Sequence, residues 1–295
     1  MLQYMIDGLA LGSTYALLAI GFTLVFGVLR RVNLAYGASI MLGLYLALWL
    51  QQRGAFAVML LAPVVVLITV VAGGYVERIC FAPHTGRPAV TSMAASFAVW
   101  MQLQEIATLL LPRHSYAFPS QFNMLGGTEY VFVRPAQLVA LGCAGVVAAG
   151  LRWFLYRTRF GLAVRALTEN REAAACVGMN VSRISAAIFA LASALGGIAG
   201  YLIVSIDGQI TSMFAMWATL KGMVAALLGG LGSLPGAVAG GLVLGLIEAL
   251  LQGLLGPQYR DLGGYGALFL LLWLYPGGLS ALWRSAAPRS TAEVR

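Results

Sequence analysis

Apolar and polar positions are segregated into blocks along this chain. Apolar runs cover residues 5–29, 33–52, 55–77, 90–111, 136–156, 184–206, 217–230, 234–255 and 262–283, with polar breaks such as LRRVN, QQRG and GPQYRD between them. Most runs approach the roughly 20 apolar residues that a helix needs to cross a bilayer. In lipid every backbone amide must be satisfied internally, so unbroken runs of this length point to helices. The pattern predicts an all-α integral membrane fold, a polytopic bundle of about 8–9 transmembrane helices. It is read as a single domain over residues 1–295, with a polar loop at 157–183.

Two runs fit poorly. Residues 217–230 are short for a crossing at ~1.5 Å per residue, and the break after them, GGLGSLPGA, is rich in Gly and contains Pro235. A discontinuous helix lining a transport path and a plain hairpin between two spans both account for it. Residues 90–111 are interrupted by WMQLQE. The pairs Gly8/Gly12, Gly196/Gly200, Gly236/Gly240 and Gly241/Gly245 are each four apart, which places each pair on one helix face where backbones can approach closely. No convincing internal repeat is found.

Composition agrees with burial in lipid. Charged residues make up 9% of the 295 positions, against about a quarter in a soluble chain, and the mean hydropathy is +0.87. The net charge of +8 is spread thinly, which suits juxtamembrane anchoring in membrane lipid rather than nucleic-acid binding. With the loop at 157–183 in the cytosol and the spans alternating, 13 of the 18 Lys and Arg fall inside. The N-terminus is then outside and the C-terminus cytosolic. The opening MLQYMIDGLALG lacks a basic segment, so the first run reads as a retained span rather than a cleaved signal.

Candidate chemistry is sparse. No GxxxxGKS/T, HExxH, CxxC or GxSxG occurs, so no nucleotide-phosphate cradle or catalytic site of those types is expected, and no cofactor. Cys80, Cys143 and Cys176 are widely spaced, and His84 and His114 fall in loops on opposite sides, so no disulfide framework or metal site is expected. The GASI stretch at 37–40 offers Ser39 but no base within reach. Intramembrane polar groups remain. Glu248 sits in VLGLIEALLQG, and Glu105 shares a helical face with Gln102. A carboxylate at mid-bilayer costs about 2.5–3.5 kcal/mol on insertion scales, so each lines a path, binds a substrate amine, or is paired or protonated, or, for Glu105, sits near the outer headgroups. Lys221 and Asp207 are placed near the outer boundary, where they can snorkel.

The stretch TENREAAACVGMNVSR (168–183) is the exception to the apolar rule. Residues 169–177 are mostly good helix formers, with Thr168 as N-cap, Glu169 in the first turn and Gly178 as the stop. Ala173, Cys176 and Val177 share a face, with Arg171 and Glu172 elsewhere. Such a helix is either a docking handle for a cytosolic partner or a solvated connector.

Four stretches carry a resemblance: GFTLVFGVLRRVNLAYGASIMLGLYLA (21–47), ERICFAPHTGRPA (77–89), RTRFGLAVRALTENREAAACVGMNVSRI (157–184) and LKGMVAALLGGLGSLPGAVAGGLVLGLIEAL (220–250). Together they resemble the membrane permease subunits of bacterial branched-chain amino acid ABC importers, in particular the shorter permease of the pair. The resemblance implies an inner-membrane permease working by alternating access. Its implied partners are a second homologous permease, two cytosolic ATP-binding subunits and a periplasmic or extracellular solute-binding protein. It implies an ATPase-coupling surface at Arg165, Thr168, Glu169, Asn170, Arg171, Glu172, Ala173, Ala174, Cys176, Val177 and Gly178. Candidate path residues are Asn33, Tyr36, Ser39, Gln102, Glu105, Ser233 and Glu248. The chain departs from the family's usual NFAHG at Asn33-Leu34-Ala35-Tyr36-Gly37, which leaves a phenol where an imidazole is common. It also has Tyr275-Pro276-Gly277-Gly278 where RPQG is common. The family's spread to urea, amides and aromatic acids leaves the solute open. A stand-alone secondary transporter or channel is the main alternative.

Overall fold

The computed structural model describes residues 2–55, 57–84, 88–112, 115–119 and 135–274. The helices are α1 (Leu2–Leu29), α2 (Tyr36–Gln52), α3 (Leu61–Val76), α4 (Ala89–Leu110), α5 (Pro135–Arg157), α6 (Arg159–Glu169), α7 (Arg171–Cys176), α8 (Val181–Asp207), α9 (Phe214–Gly229), α10 (Leu234–Leu255) and α11 (Arg260–Leu274). Two short strands, β1 (Ser115–Ala117) and β2 (Gln209–Thr211), pair antiparallel with Tyr116 opposite Ile210. The expectation of an all-helical chain missed this ribbon, which three-residue strands without an alternating pattern do not announce.

Among the described residues, five segments are long and apolar enough to cross a membrane: Gln3–Leu29, Val58–Phe81, Pro135–Arg157, Val181–Asp207 and Leu234–Leu255. The all-helical bundle is therefore observed, while the full count of about 8–9 spans is not reached by length and composition. Helix α9 is shorter, at 16 residues. Helix α4 has 22 residues, but Gln102, Gln104 and Glu105 dilute its apolar character. The last part of the final run (275–283), which holds the YPGG sequence, the His114 loop and several basic residues used for orientation lie outside the described residues.

Helix α1 is apolar all round and buried along most of its length, as expected of a helix enclosed by others. Its partner is α10, and the glycine pairs fix how they meet. A Cβ on Gly12 would lie 2.8 Å from the Leu242 Cα, one on Gly8 would lie 3.0 Å from the Leu246 Cα, and Gly241 and Gly245 face Ala16 and Gly12 in turn. Rising numbers on α1 meet falling numbers on α10, so the two run antiparallel with backbones in contact. Gly196 and Gly200 let α8 close on Ile40 of α2, and Gly197 faces Val66 and Thr69 of α3. With no hydrophobic driving force inside lipid, this close dispersion packing is what holds such helices together.

The GGLGSLPGA break resolves as a hairpin. Gly229 faces Gly236, and Gly240 faces Ala225, across antiparallel α9 and α10. Gly230 and Gly232 take positive φ, 94° and 88°, and Ser233 caps α10 with Pro235 in its first turn. Interrupted helices occur elsewhere. Residues 30–35 separate α1 from α2. The apolar segment Val58–Phe81 begins in a tight turn and ends in a wide, π-type one, Glu77–Phe81.

Candidate functional site

The loop at 157–183 folds as two short helices. Thr158 (φ −101°, ψ 158°) caps α6, its hydroxyl accepting from the Gly161 amide at 3.1 Å. Helix α6 stops at Glu169 because Asn170 turns extended, φ −149° and ψ 107°. The Asn170 Oδ1 then accepts from the Glu172 and Ala173 amides, both at 3.0 Å, and starts α7. The N-cap is thus Asn170, and the expected cap at Thr168 is corrected: the Thr168 hydroxyl donates to the Val164 carbonyl at 2.6 Å inside α6. An Asn side chain that can accept from two free amides wins over a Thr already satisfied one turn back.

Helix α7 has six residues, shorter than the expected nine. Gly178 ends it as predicted, at φ +85°. The Gly178 amide donates to the Ala175 carbonyl and the Met179 amide to the Ala174 carbonyl, the paired closure of a left-handed helix stop. Ala174 is buried and Met179 packs against the core, which seats the helix. Ala173, Cys176 and Val177 face out, with Val177 80% exposed. Arg165, Glu169, Asn170, Glu172 and Gly178 are also exposed, while Arg171 is half-buried. Burial and the neighbouring Arg31 guanidinium pull Arg171 below the usual arginine range. Beneath α7 lies a cavity of about 720 Å³ bounded by Leu29, Arg31, Glu77, Phe81, Arg171 and Ser185.

The candidate path residues do not converge. Asn33 is buried, its Oδ1 accepting from the Ala35 amide at 3.0 Å to shape the break after Arg30, which is itself left-handed at φ 50°. The buried Tyr36 hydroxyl donates to the Ala192 carbonyl at 3.3 Å and fills the space left by Gly21 and Gly196. The Ser39 hydroxyl donates to the Ala35 carbonyl at 3.0 Å. Tyr36 thus ties the start of α2 to α8, Asn33 and Ser39 bond locally, and the Gly37 amide reaches Thr219 of α9 at 2.9 Å. Gln102 and Glu105 are exposed on the outside of α4, where the Gln102 side-chain oxygen accepts from Tyr75 at 3.0 Å. Ser233 caps α10, accepting from the Gly236 amide at 2.9 Å. It also shares a cavity of about 630 Å³ with Thr23, Arg165 and Thr168, so the α9–α10 turn and helix α6 meet there.

Glu248 belongs to a buried ionic cluster. Its Oε1 pairs with Lys221, and its Oε2 accepts from Tyr15 at 2.8 Å and from Arg260 Nε at 3.1 Å. Lys221 also reaches Asp261 at 2.7 Å, and Arg260 Nη2 donates to the Tyr15 hydroxyl at 2.8 Å. Lys221 and Glu248 are fully buried. The snorkelling expectation for Lys221 is therefore corrected: the ammonium points into the bundle. Two bases and two acids neutralise one another and join α1, α9, α10 and α11. Sequence reasoning missed Tyr15, Arg260 and Asp261 as partners. The available signal was a lone Lys in one apolar run facing a lone Glu in the next.

A family model described as "Branched-chain amino acid transport system / permease component" matches residues 4–273. The chain belongs to this family. It is therefore a membrane permease component, a transport subunit rather than an enzyme. This permease is similar to the high-affinity branched-chain amino acid transport system permease protein LivH of Salmonella typhimurium, with 32% identity over 291 residues and 94% of each chain covered. It is equally similar to BraD of Pseudomonas aeruginosa, with 32% identity over 94% of this chain and 95% of the relative. Among solved structures, PsaBC from Streptococcus pneumoniae in complex with Fab matches with a TM-score of 0.54 and 11% identity. That match covers 96% of this chain and 100% of the other, a likeness of fold alone.

Proposed function

We propose that this permease is the translocating subunit of an ATP-driven ABC importer for branched-chain amino acids or similar small solutes, working by alternating access. It forms one transmembrane domain over residues 1–295, paired with a second homologous permease. Two cytosolic ATP-binding subunits dock beneath the pair, with α6 and α7 as this chain's contact, and an external solute-binding protein delivers the solute. The N-terminus lies outside and the C-terminus inside, in the bacterial cytoplasmic membrane. Closure of the ATPases pushes α7, and α6 passes the movement to α5 and to the α9–α10 turn, which shares the Ser233 cavity with Arg165 and Thr168.

The observation that carries this reading is the built, outward-facing end of α7. It has a double cap at Asn170, a left-handed stop at Gly178 and a seated Ala174, yet Ala173, Cys176 and Val177 are left uncovered. A mere connector has no need of such definition. Glu248, the best candidate for ion coupling in a stand-alone transporter, is committed to Lys221, Arg260 and Tyr15, which weighs against that alternative. The candidate path residues Gln102 and Glu105 face away from this chain's bundle, which suits a path lined jointly with the second permease. Glu172→Arg is expected to abolish co-purification of the ATP-binding subunits while leaving membrane insertion normal. Unchanged complex yield and transport would refute the docking surface.

A further inference from the structure

A second cavity opens beside the one at Ser233. It has a volume of about 400 Å³, lies between α1, α5 and α10, and shares Tyr156, Leu234 and Pro235 with its neighbour of about 630 Å³. The two adjoin along these shared residues, and their far ends differ chemically. The end at the α6 side is polar: Thr23, Arg165, Thr168 and Ser233 line it. The other end runs up the bundle between apolar residues, among them Ile20, Ala149 and Leu242.

Charge and depth define what fits. The Arg152 and Arg165 guanidiniums both lie over the Tyr156 ring, at 5.3 and 5.1 Å from its centroid. Among the described residues neither has a carboxylate within ion-pair distance. Two like charges held at one ring beside a membrane helix leave a place for an anion. Thr23 lines the same end with a side chain only 2% exposed, and its hydroxyl has no hydrogen-bond partner among the described residues. The apolar end reaches Ile20, nine residues from the inner end of α1, and Leu242, eight residues into α10. At ~1.5 Å per residue that is ~12–14 Å, close to the ~15 Å that is half of a ~30 Å hydrocarbon core.

We infer that this groove is a binding site for one anionic phospholipid of the leaflet on the α6 side. Its phosphate lies at Arg152 and Arg165, and an acyl chain lies along α1, α5 and α10. Basic pockets between membrane helices recognise such headgroups. The lipid is a wedge between helix α6 and the α9–α10 turn, so its occupancy bears on how movement at α7 reaches the bundle. The site itself depends only on the groove and would stand even if the docking reading of α7 failed.

Native mass spectrometry of the full-length permease, delipidated and then titrated with phosphatidylglycerol or phosphatidylcholine, tests this. Phosphatidylglycerol is expected to bind preferentially. Loss of one basic contact in Arg152→Gln should weaken it about fivefold, the change that ~1 kcal/mol per basic residue makes, and Arg152→Lys should restore it. Ala149→Leu, which fills the slot, should weaken both lipids alike. Equal binding of the two lipids, or an unchanged phosphatidylglycerol titration in Arg152→Gln, would overturn the site. So would a photo-cross-linker at Ala149 that captures a protein subunit in native membranes instead of lipid.

Discussion

Replacing Lys221 by Met keeps the length of the side chain and removes its charge. In the native cluster two bases face two acids, with Lys221 and Glu248 sealed from solvent. Without the ammonium, Glu248 keeps Arg260 and Tyr15 but loses the fully buried half of its pairing, and the half-exposed Asp261 loses its partner. Breaking a buried pair from one side costs about 3–5 kcal/mol, and the surviving Arg260 contact places this case at the lower end. With about 2–4 °C per kcal/mol for chains of comparable size, the melting temperature should fall by on the order of 10 °C. Lys221→Met/Glu248→Met removes one charge of each sign and leaves Arg260 with Tyr15. It should lose less than the sum of the two single variants, with a coupling of about 2 kcal/mol, within the range for contacting residues. The assay is the thermal loss of monodisperse protein in mild detergent for all four members of the cycle. Additive losses, or a single variant melting with the wild type, would show that the cluster does not hold the four helices together.

Asn170→Ala removes the acceptor for two amides at the start of α7 and should cost about 1 kcal/mol locally. Because so short a helix has little else to define it, the expected readout is faster hydrogen exchange at Glu172 and Ala173, with α6 unchanged. Cys176 is exposed, Cys143 half-buried and Cys80 buried, so in a Cys143→Ala background expressed without the ATP-binding subunits a membrane-impermeant maleimide should label Cys176 in inside-out vesicles and spare it in intact cells. Labelling from the external side would reverse the proposed orientation.

Much of the architecture can be read from hydropathy blocks, since a helix must be apolar over its membrane length. The glycine pairs also have a direct physical translation: Gly12 and Gly245 are small because their backbones touch. What sequence spacing does not carry is which helix answers which. Lys221 and Glu248 stand 27 positions apart and Tyr15 and Glu248 stand 233 apart, so their pairing exists only after α1, α9 and α10 assemble. The stop at Gly178 was legible because positive φ excludes most residues. The start of α7 was not, because Thr168 and Asn170 are both good caps and only backbone geometry chooses between them. Of the path residues nominated by position, Asn33 and Ser39 satisfy local backbone needs at a break, and Tyr36 bonds a carbonyl of α8. A sequence alone cannot tell that use from solvent contact.

The seam between the first and tenth helices bears on how this protein is made. Gly12 and Leu242 are in backbone contact, yet the ribosome adds the residues between them at about 5–20 per second, so roughly 10–50 s separate their synthesis. For that interval the nascent opening helix shows lipid, or an insertion factor, the bare glycine stripe destined for its mate. The centre of the molecule is thus begun well before it can be completed.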